Sequence, residues 1–245
     1  NSMKTLVIIP SRLSATRLPG KPLLKINGLS IISHVFKRAE KANIGEVIVA
    51  AEDKEIVDDV KMNGGNAILT SNKPKTGTDR IYEALKILDR NNIDLIMNIQ
   101  GDEPDIDIED IKKLYNNMKN NKKTRIGTLA SKISDIKMYE NQNIVKVKTR
   151  ESFEQNQFPL ADNFFRNIEK NENIFHHIGV YCYEVETLKN FVSFNQSKNE
   201  LNNKLEQLRA LDNNININVA QANSSPISID TKEDYLAIKK IIEYK

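Results

Sequence analysis

The sequence predicts an α/β protein with a mixed, mostly parallel sheet and helices on both faces. Three observations support this fold class. A continuous apolar run at 6–9 is typical of a strand buried on both faces. Apolar residues then recur at helical spacing between 30 and 42. Strand and helix patterns keep alternating as far as residue 99, and such alternation implies right-handed crossovers between parallel strands.

The elements follow in chain order. Pro10 ends the first strand because proline has no N–H to donate to the ladder. The predicted strands are 6–9, 46–51, 66–70, 94–99, 125–132, 143–148 and 216–221. The predicted helices are 30–42, 54–62, one opening at 76–80, one around 201–211 and one from 232 onward. Segment 149–173 shows neither the alternation of a strand nor the apolar spacing of a helix. We therefore expect a single domain over 1–245 with 149–200 as a projecting subregion.

Composition excludes several classes of protein. The 245 residues carry 36 cations and 33 anions, a net charge of +3, which argues against a nucleic-acid-binding protein but allows a local cationic pocket. Cys182 is the only cysteine, so no intramolecular disulfide is possible, and its apolar surroundings predict a core residue. No apolar run approaches the ~20 residues of a membrane span. The first residues lack signal-peptide features, so we expect a cytoplasmic protein.

The loop after the first strand carries three cations, Arg12, Arg17 and Lys21, spaced five and four residues apart. In an open α/β sheet this loop lies at the carboxyl edge, where ligands bind. Together with Pro10 and Ser11, its cations and backbone donors could surround a triphosphate. The alternative is a solvated basic loop.

A second motif, Thr-Gly-Thr-Asp-Arg at 76–80, opens a predicted helix. Gly77 lets backbone N–H groups approach a ligand, and Thr76, Thr78 and Arg80 could then contact a base, ribose or phosphate. The alternative is an ordinary capped helix start.

A third motif, Gln-Gly-Asp-Glu-Pro at 100–104, directly follows a predicted central strand. Asp102 is therefore well placed to hold Mg²⁺ over a nucleotide, with Gln100 beside it. The alternative is an acidic turn, since Gly, Asp and Pro favour turns.

These motifs, with Thr-Arg-Leu-Pro-Gly-Lys-Pro-Leu at 16–23, resemble those of the 3-deoxy-manno-octulosonate (Kdo) cytidylyltransferases, or CMP-Kdo synthetases. The strings His-Ile-Gly-Val-Tyr at 177–181, Glu-Gln-Leu-Arg at 206–209 and Asp-Thr at 230–231 are also similar to that family. The resemblance covers 4–147 and 175–235, and is stronger in the nucleotide half. The family's Phe-Ser-Arg string has no Ser-Arg equivalent within 149–173.

The resemblance implies a Rossmann-like nucleotidyltransferase fold and a homodimer. It implies transfer of CMP from CTP to the anomeric hydroxyl of Kdo, with release of pyrophosphate, for lipopolysaccharide synthesis. The implied catalytic residues are Lys21, Asp102 and Asp230, with Mg²⁺ held by the two aspartates. The expected nucleotide-binding residues are Pro10, Ser11, Arg12, Arg17, Lys21, Thr76, Gly77, Thr78, Arg80, Gln100 and Asp102. The implied sugar-acid residues are His177, Tyr181, Glu206 and Gln207.

Two alternatives remain at the level of sequence. The enzyme could activate another sugar acid, such as an amino-octulosonate or a nonulosonate, and the divergent segment 149–173 favours this alternative. The chain could instead bind nucleotides without catalysis. Two retained carboxylates, Asp102 and Asp230, argue against a mere nucleotide sensor.

Overall fold

The computed structural model describes residues 3–14 and 17–245. Asn1, Ser2 and Thr16, which entered the sequence predictions, lie outside the described residues. The strands are Thr5–Ser11 (β1), Lys25–Ile26 (β2), Leu29–Ser30 (β3), Glu46–Ala51 (β4), Ala67–Leu69 (β5), Leu95–Asn98 (β6), Ile126–Ser131 (β7), Lys146–Thr149 (β8), Ala161–Phe165 (β9), Ile174–Glu184 (β10) and Ile217–Gln221 (β11). The α-helices are Ile31–Lys41 (α1), Lys54–Met62 (α2), Gly77–Leu88 (α3), Ile108–Asn120 (α4), Val185–Ser193 (α5), Lys198–Asn203 (α6), Leu208–Asp212 (α7) and Lys232–Glu243 (α8).

The chain divides into two compact units. The terminal unit comprises Met3–Glu109 and Pro226–Lys245, and the middle unit comprises Asp110–Ser225. Among the described residues, no helix is long and apolar enough to cross a membrane. The single domain with 149–200 projecting stays a prediction.

The terminal unit contains four parallel strands in the order β6-β1-β4-β5. Strand β1 is almost wholly buried, which explains its unbroken apolar sequence. Its carboxyl end is at Ser11, paired with Ala51 on β4. Parallel pairing brings the carboxyl ends of β1, β5 and β6 to one edge of the sheet, so the loops that carry the three predicted motifs leave from the same edge.

A small core anchors the last helix within this unit. Ile26 and Ile31 pack against Ile229 and Ile238, all fully buried. Ile26 belongs to a hairpin that turns at Asn27 and Gly28, both with positive φ, as a two-residue hairpin turn requires. This packing fixes the start of α8 and hence the segment 228–231 that precedes it.

The middle unit has a mixed sheet. β7 pairs in parallel with β11 and antiparallel with β10, while β8 lies antiparallel to both β10 and β9. The predicted α/β class with a mixed, mostly parallel sheet is confirmed. Cys182 is buried as predicted, and burial raises the pKa of its thiol, which keeps it protonated and unreactive.

Two local predictions are wrong in the middle unit. Segment 149–173 contains an unpredicted strand, β9, whose pattern Ala-Asp-Asn-Phe-Phe shows no clean alternation. The single helix predicted around 201–211 is two helices, because Lys204 takes the left-handed conformation with φ 54° after α6. Glu206 and Gln207 therefore lie in the turn before α7, not on a helix face.

Candidate functional site

A lysine stands between two aspartates in the terminal unit. Lys21 Nζ lies 3.5 Å from Asp102 Oδ2 and 3.8 Å from Asp230 Oδ1. The side chains are 19%, 26% and 56% exposed for Lys21, Asp102 and Asp230, so solvent and ligands reach all three. The structure thus assembles the three residues predicted to be catalytic, although they are up to 209 positions apart in the chain, from 21 to 230.

Backbone geometry places each member of this cluster. Gly20, at φ 68°, turns the chain into the short 3₁₀ helix that begins at Lys21. Asp102 follows β6 after a short loop, and its carbonyl accepts a hydrogen bond from Ile229 N at 2.9 Å. Asp230 directly follows Ile229, so this bond brings the second carboxylate beside the first.

Glu103 reinforces that connection. Ser228 Oγ donates to Glu103 Oε2 at 3.0 Å. Burial, and then the negative charge of Asp102, raise the pKa of Glu103 to about 8. Burial also raises the pKa of Asp102, with Lys21 opposing the shift and Asp230 adding to it. A further positive charge beside the Asp102 and Glu103 carboxyl groups would therefore be favoured.

The donor set fits a magnesium ion. Mg²⁺ binds through one or two protein carboxylates, with waters and substrate phosphates completing its shell. Asp102 and Asp230 supply two hard oxygen donors near a single ammonium, leaving a net negative charge. The described residues contain no cluster of three or more His, Cys, Asp or Glu that could hold a metal alone. A metal at this position would need ligands from a substrate.

The loop after β1 is tied to the loop after β4. Leu13 N donates to Asp53 Oδ2 at 2.7 Å, and Ser14 Oγ lies 3.4 Å from Glu52 Oε1. Arg12 and Arg17 are exposed, so their side chains are accessible to an anionic ligand. The loop is thus held at its start by two carboxylates while its arginines stay in solvent.

The second motif begins α3 and lies against the first. Thr76 caps the helix by accepting from Asp79 N at 3.2 Å, so the alternative of a capped start describes part of its role. A Cβ at Gly77 would lie 3.4 Å from Pro10 Cγ, which is van der Waals contact, so the start of α3 packs against the end of β1. Thr78 is buried.

Arg80 is also buried and bonded to protein groups. Its Nη1 donates to Thr70 Oγ1 at 2.6 Å and to Ser71 O at 3.0 Å, and its Nη2 lies 3.3 Å from Glu52 Oε2. Because Glu52 also contacts the loop after β1, Arg80 links the two motifs. A direct nucleotide contact by Arg80 stays a prediction.

The predicted sugar-acid residues lie in the middle unit. His177 Nε2 is 2.9 Å from Thr128 Oγ1, which is also 2.7 Å from Val180 O. Thr128 Oγ1 also lies 3.2 Å from Ile178 O. Because carbonyl oxygens can only accept, the single hydroxyl proton is donated to these carbonyls, and Thr128 Oγ1 accepts from His177 Nε2–H. The network therefore assigns His177 the tautomer with an unprotonated Nδ1, which can accept a hydrogen bond from a ligand hydroxyl.

His177 is buried beside two aromatic rings, and its burial keeps it neutral. Its ring lies 5.0 Å from the Phe164 ring, edge-on, and 5.5 Å from the Tyr181 ring. Burial, and then the neighbouring His176, lower the pKa of His177 to about 3. His177 and Tyr181 lie side by side on β10, although a bulge between Ile178 and Tyr181 interrupts the regular strand.

Tyr181, Glu206 and Gln207 are the other residues predicted to bind the sugar acid. Burial, and then the charges of Tyr183 and Glu206, raise the pKa of Tyr181 well above its ordinary value, so its phenol is a neutral donor. Gln207 is buried at the N-cap of α7. The structure thus gives neutral donors and acceptors, with one carboxylate, to this part of the middle unit.

Sequence reasoning missed four residues that support these groups. They are Glu52, Glu103, Thr128 and Ser228. Glu103 belongs to a motif that was recognised, so its position could have suggested a role. The other three have no distinctive spacing, because their partners are 28, 49 and 125 positions away.

A family model described as cytidylyltransferase matches residues 6–217. The 3-deoxy-manno-octulosonate cytidylyltransferase of Thermodesulfovibrio yellowstonii is 40% identical over 252 residues, covering 98% of this chain and 98% of its own. The protein of the same description from Rhodopseudomonas palustris BisB18 is 38% identical over 250 residues, with 98% of each chain covered.

Solved structures agree with the sequence matches. CMP:2-keto-3-deoxy-manno-octonic acid synthetase complexed with CTP has a TM-score of 0.88 at 32% identity, over 98% of this chain and 99% of that chain. UDP-glucose pyrophosphorylase complexed with UDP-glucose has a TM-score of 0.70 at 12% identity, over 99% of each chain, and so shares the fold alone.

Proposed function

This chain belongs to the family of 3-deoxy-manno-octulosonate cytidylyltransferases, and from that premise we propose that it transfers CMP from CTP to Kdo, releasing pyrophosphate, for lipopolysaccharide synthesis. The observation that carries the proposal is the Lys21 ammonium within 4 Å of both the Asp102 and the Asp230 carboxylates. A cation and two carboxylates at the carboxyl edge of a parallel sheet suit a nucleoside triphosphate.

In the proposed reaction the anomeric oxygen of Kdo attacks the α-phosphorus of CTP in line. The new P–O bond forms as the bond from the α-phosphorus to the oxygen bridging it to the β-phosphate breaks. Pyrophosphate leaves with that electron pair, and the proton of the anomeric hydroxyl is released to water. Positioning and charge stabilisation supply most of the rate in such transfers. Lys21, Arg12 and Arg17 supply positive charge for the triphosphate and the leaving pyrophosphate.

We assign Mg²⁺ to Asp102 and Asp230, whose carboxylates match its preference for oxygen. When bound, the ion would neutralise phosphate charge and lower the pKa of the attacking hydroxyl. The protein's own contribution is to hold the two carboxylates together through the Ile229–Asp102 and Ser228–Glu103 bonds. Lys21 balances one of their two charges.

The sugar acid is recognised, in this proposal, by neutral polar groups of the middle unit together with the Glu206 carboxyl group. His177 accepts a sugar hydroxyl at Nδ1, and Tyr181 donates from its phenol. Glu206 and Gln207 supply further acceptors and an amide donor. A site of this kind discriminates strongly, because a wrong ligand leaves buried polar groups unpaired.

A pyrophosphate-release assay tests this function. The protein is incubated with Mg²⁺, each of the four ribonucleoside triphosphates, and Kdo, an amino-octulosonate or a nonulosonate. We expect release with CTP and Kdo, with the other combinations at least tenfold slower. Faster release with a different sugar acid would replace Kdo as the acceptor, and no release with any combination would contradict the function.

Assembly as a homodimer and a cytoplasmic location remain predictions that rest on the family resemblance and the sequence. Equilibrium sedimentation of the purified chain would measure the assembly. A monomer at micromolar concentration would contradict the homodimer.

A further inference from the structure

Arg166, just after β9, binds three backbone carbonyls with one side chain. Its Nε donates to Asn203 O at 2.7 Å, its Nη2 to Lys204 O at 2.8 Å and its Nη1 to Gln142 O at 3.1 Å. Guanidinium is a planar, permanently charged fork, and hydrogen bonds from it are stronger than those between neutral groups. Arg166 lies within 149–173, outside the sequence motifs of the family.

Two of the three carbonyls belong to the end of α6. The last carbonyls of a helix have no partner within the helix and must be satisfied by other groups. The chain then passes through Lys204, whose φ of 54° is unfavourable for a residue with a Cβ. Arg166 stabilises this turn by binding its carbonyls, and the next residue, Leu205, is buried in the core.

The backbone of Arg166 is itself fixed. The buried Lys146 Nζ donates to Arg166 O at 2.6 Å and to Asn141 O at 2.7 Å. Strand β8 carries Lys146 and pairs with β9 at Phe165. Arg166 therefore connects the β8–β9 pair to the turn at 203–204 through both its carbonyl and its side chain.

We infer that Arg166 is a positioning residue for sugar-acid recognition, acting through the turn that presents Glu206 and Gln207. It binds the backbone two and three residues before Glu206, and so sets the direction in which the Glu206 and Gln207 side chains leave the chain. This inference rests on the proposed function, since it takes Glu206 and Gln207 as sugar-acid residues. In this role Arg166 does not contact the reacting atoms, because its side chain binds backbone carbonyls.

The kinetic test compares Arg166→Ala and Arg166→Lys with Arg125→Ala, a control at an exposed arginine just before β7. At saturating CTP, we expect Arg166→Ala to raise the KM for Kdo roughly ten- to a hundredfold, as small displacements of binding groups do. The affinity for CTP, measured by calorimetry, should stay within about twofold. Arg166→Lys should be intermediate, because an ammonium cannot match the planar fork.

A double-mutant cycle with Gln207→Ala separates positioning from a general structural role. If Arg166 acts through the turn, Arg166→Ala should raise the KM for Kdo by a clearly smaller factor in the Gln207→Ala background than in wild type, because the part of its effect that passes through Gln207 is already lost. Multiplicative effects of the two substitutions would overturn the inference. So would an unchanged KM in Arg166→Ala, even if that variant melted at a lower temperature.

Hydrogen exchange distinguishes failure of this inference from failure of the proposed function. Amides within 204–208 should exchange faster in Arg166→Ala and Arg166→Lys than in wild type or Arg125→Ala. Unchanged exchange in both Arg166 variants would overturn the inference whatever the activity. Absence of CMP transfer to Kdo by the wild-type protein would overturn the proposed function, and with it the assignment of Arg166 to sugar-acid recognition.

Discussion

The two units use different chemistry for the two proposed substrates. In the terminal unit, the predicted triphosphate groups are charged and partly exposed, from 19% for Lys21 to 56% for Asp230. In the middle unit, His177 and Gln207 are only 8% and 7% exposed and are neutral. Charged groups stay hydrated until a charged ligand replaces water, whereas neutral polar groups can be buried if they are hydrogen-bonded.

The difference teaches where each kind of specificity comes from. Charge at the carboxyl edge of the sheet attracts the triphosphate part of the nucleotide, and the strength of that attraction depends on a few exposed side chains. A buried polar network recognises shape and hydroxyl pattern, and it depends on partners such as Thr128 that never meet the ligand. Substitutions in the two units should therefore affect different kinetic constants.

The largest effect is expected from Asp102→Asn and Asp230→Asn. Each removes a negative charge that we assign to Mg²⁺ and to Lys21, so kcat should fall by about a hundredfold or more. The fold should persist, because both side chains are partly exposed and the change preserves shape. Asp58→Asn, at an exposed ion pair with Lys54, is the matched control. Near-normal turnover in both variants, measured as pyrophosphate release, would remove the two residues from the reaction.

Lys21→Ala should have the next largest effect. Loss of one charge-assisted contact costs about 1.5–3 kcal/mol, or roughly ten- to a hundredfold in CTP affinity or turnover. The exposed Lys25 provides the control, as Lys25→Ala removes the same charge close by in sequence. Calorimetry gives the affinity and initial rates give the turnover. If neither constant changes relative to Lys25→Ala, the loop after β1 does not bind the triphosphate.

Gln207→Ala should act on the other substrate. Truncation of a buried amide assigned to the sugar acid should raise the KM for Kdo by about tenfold. CTP affinity should stay near the wild-type value, and Gln196→Ala, at an exposed glutamine, should change neither constant. Separate titrations of the two substrates would show whether the division between the units is correct. A collapse of CTP affinity with an unchanged KM for Kdo would place Gln207 at the nucleotide.

His177 is expected to have the smallest effect, because its charge state changes the free energy of unfolding only in acid. Its pKa is lowered from 6.5 to about 3, so between these values the unfolded chain binds a proton that the folded chain does not. This group's contribution to stability is therefore complete above pH 6.5 and is lost as the pH falls toward 3. The added slope is at most about 1.4 kcal/mol per pH unit.

His177→Gln should flatten that acid dependence. The free energy of unfolding, measured with urea at intervals from pH 7 to pH 4, should fall less steeply than in wild type. His34→Gln in the terminal unit serves as the control. Parallel pH profiles for wild type and His177→Gln would show that His177 is not buried as a neutral group.

Much of the terminal unit was predictable from local sequence. Strand β1 is buried on both faces and so must be apolar throughout, and α1 begins where Ser30 accepts from Ser33 N. The elements of the middle unit were harder to predict. Strand β9 has no regular alternation, and the break after α6 depends on Lys204, a residue type that rarely marks a turn.

The sequence by itself determined the α/β class, the order of the parallel strands' motifs and the candidate residues at their carboxyl ends. Those features depend on short-range periodicity and on loops that directly follow strands. Only the tertiary structure decided that Asp230 lies beside Asp102, that Thr128 sets the tautomer of His177 and that Arg166 holds the turn before Glu206. Each of these contacts joins residues more than 35 positions apart, and the packing of buried strands and helices, rather than any local preference, brings them together.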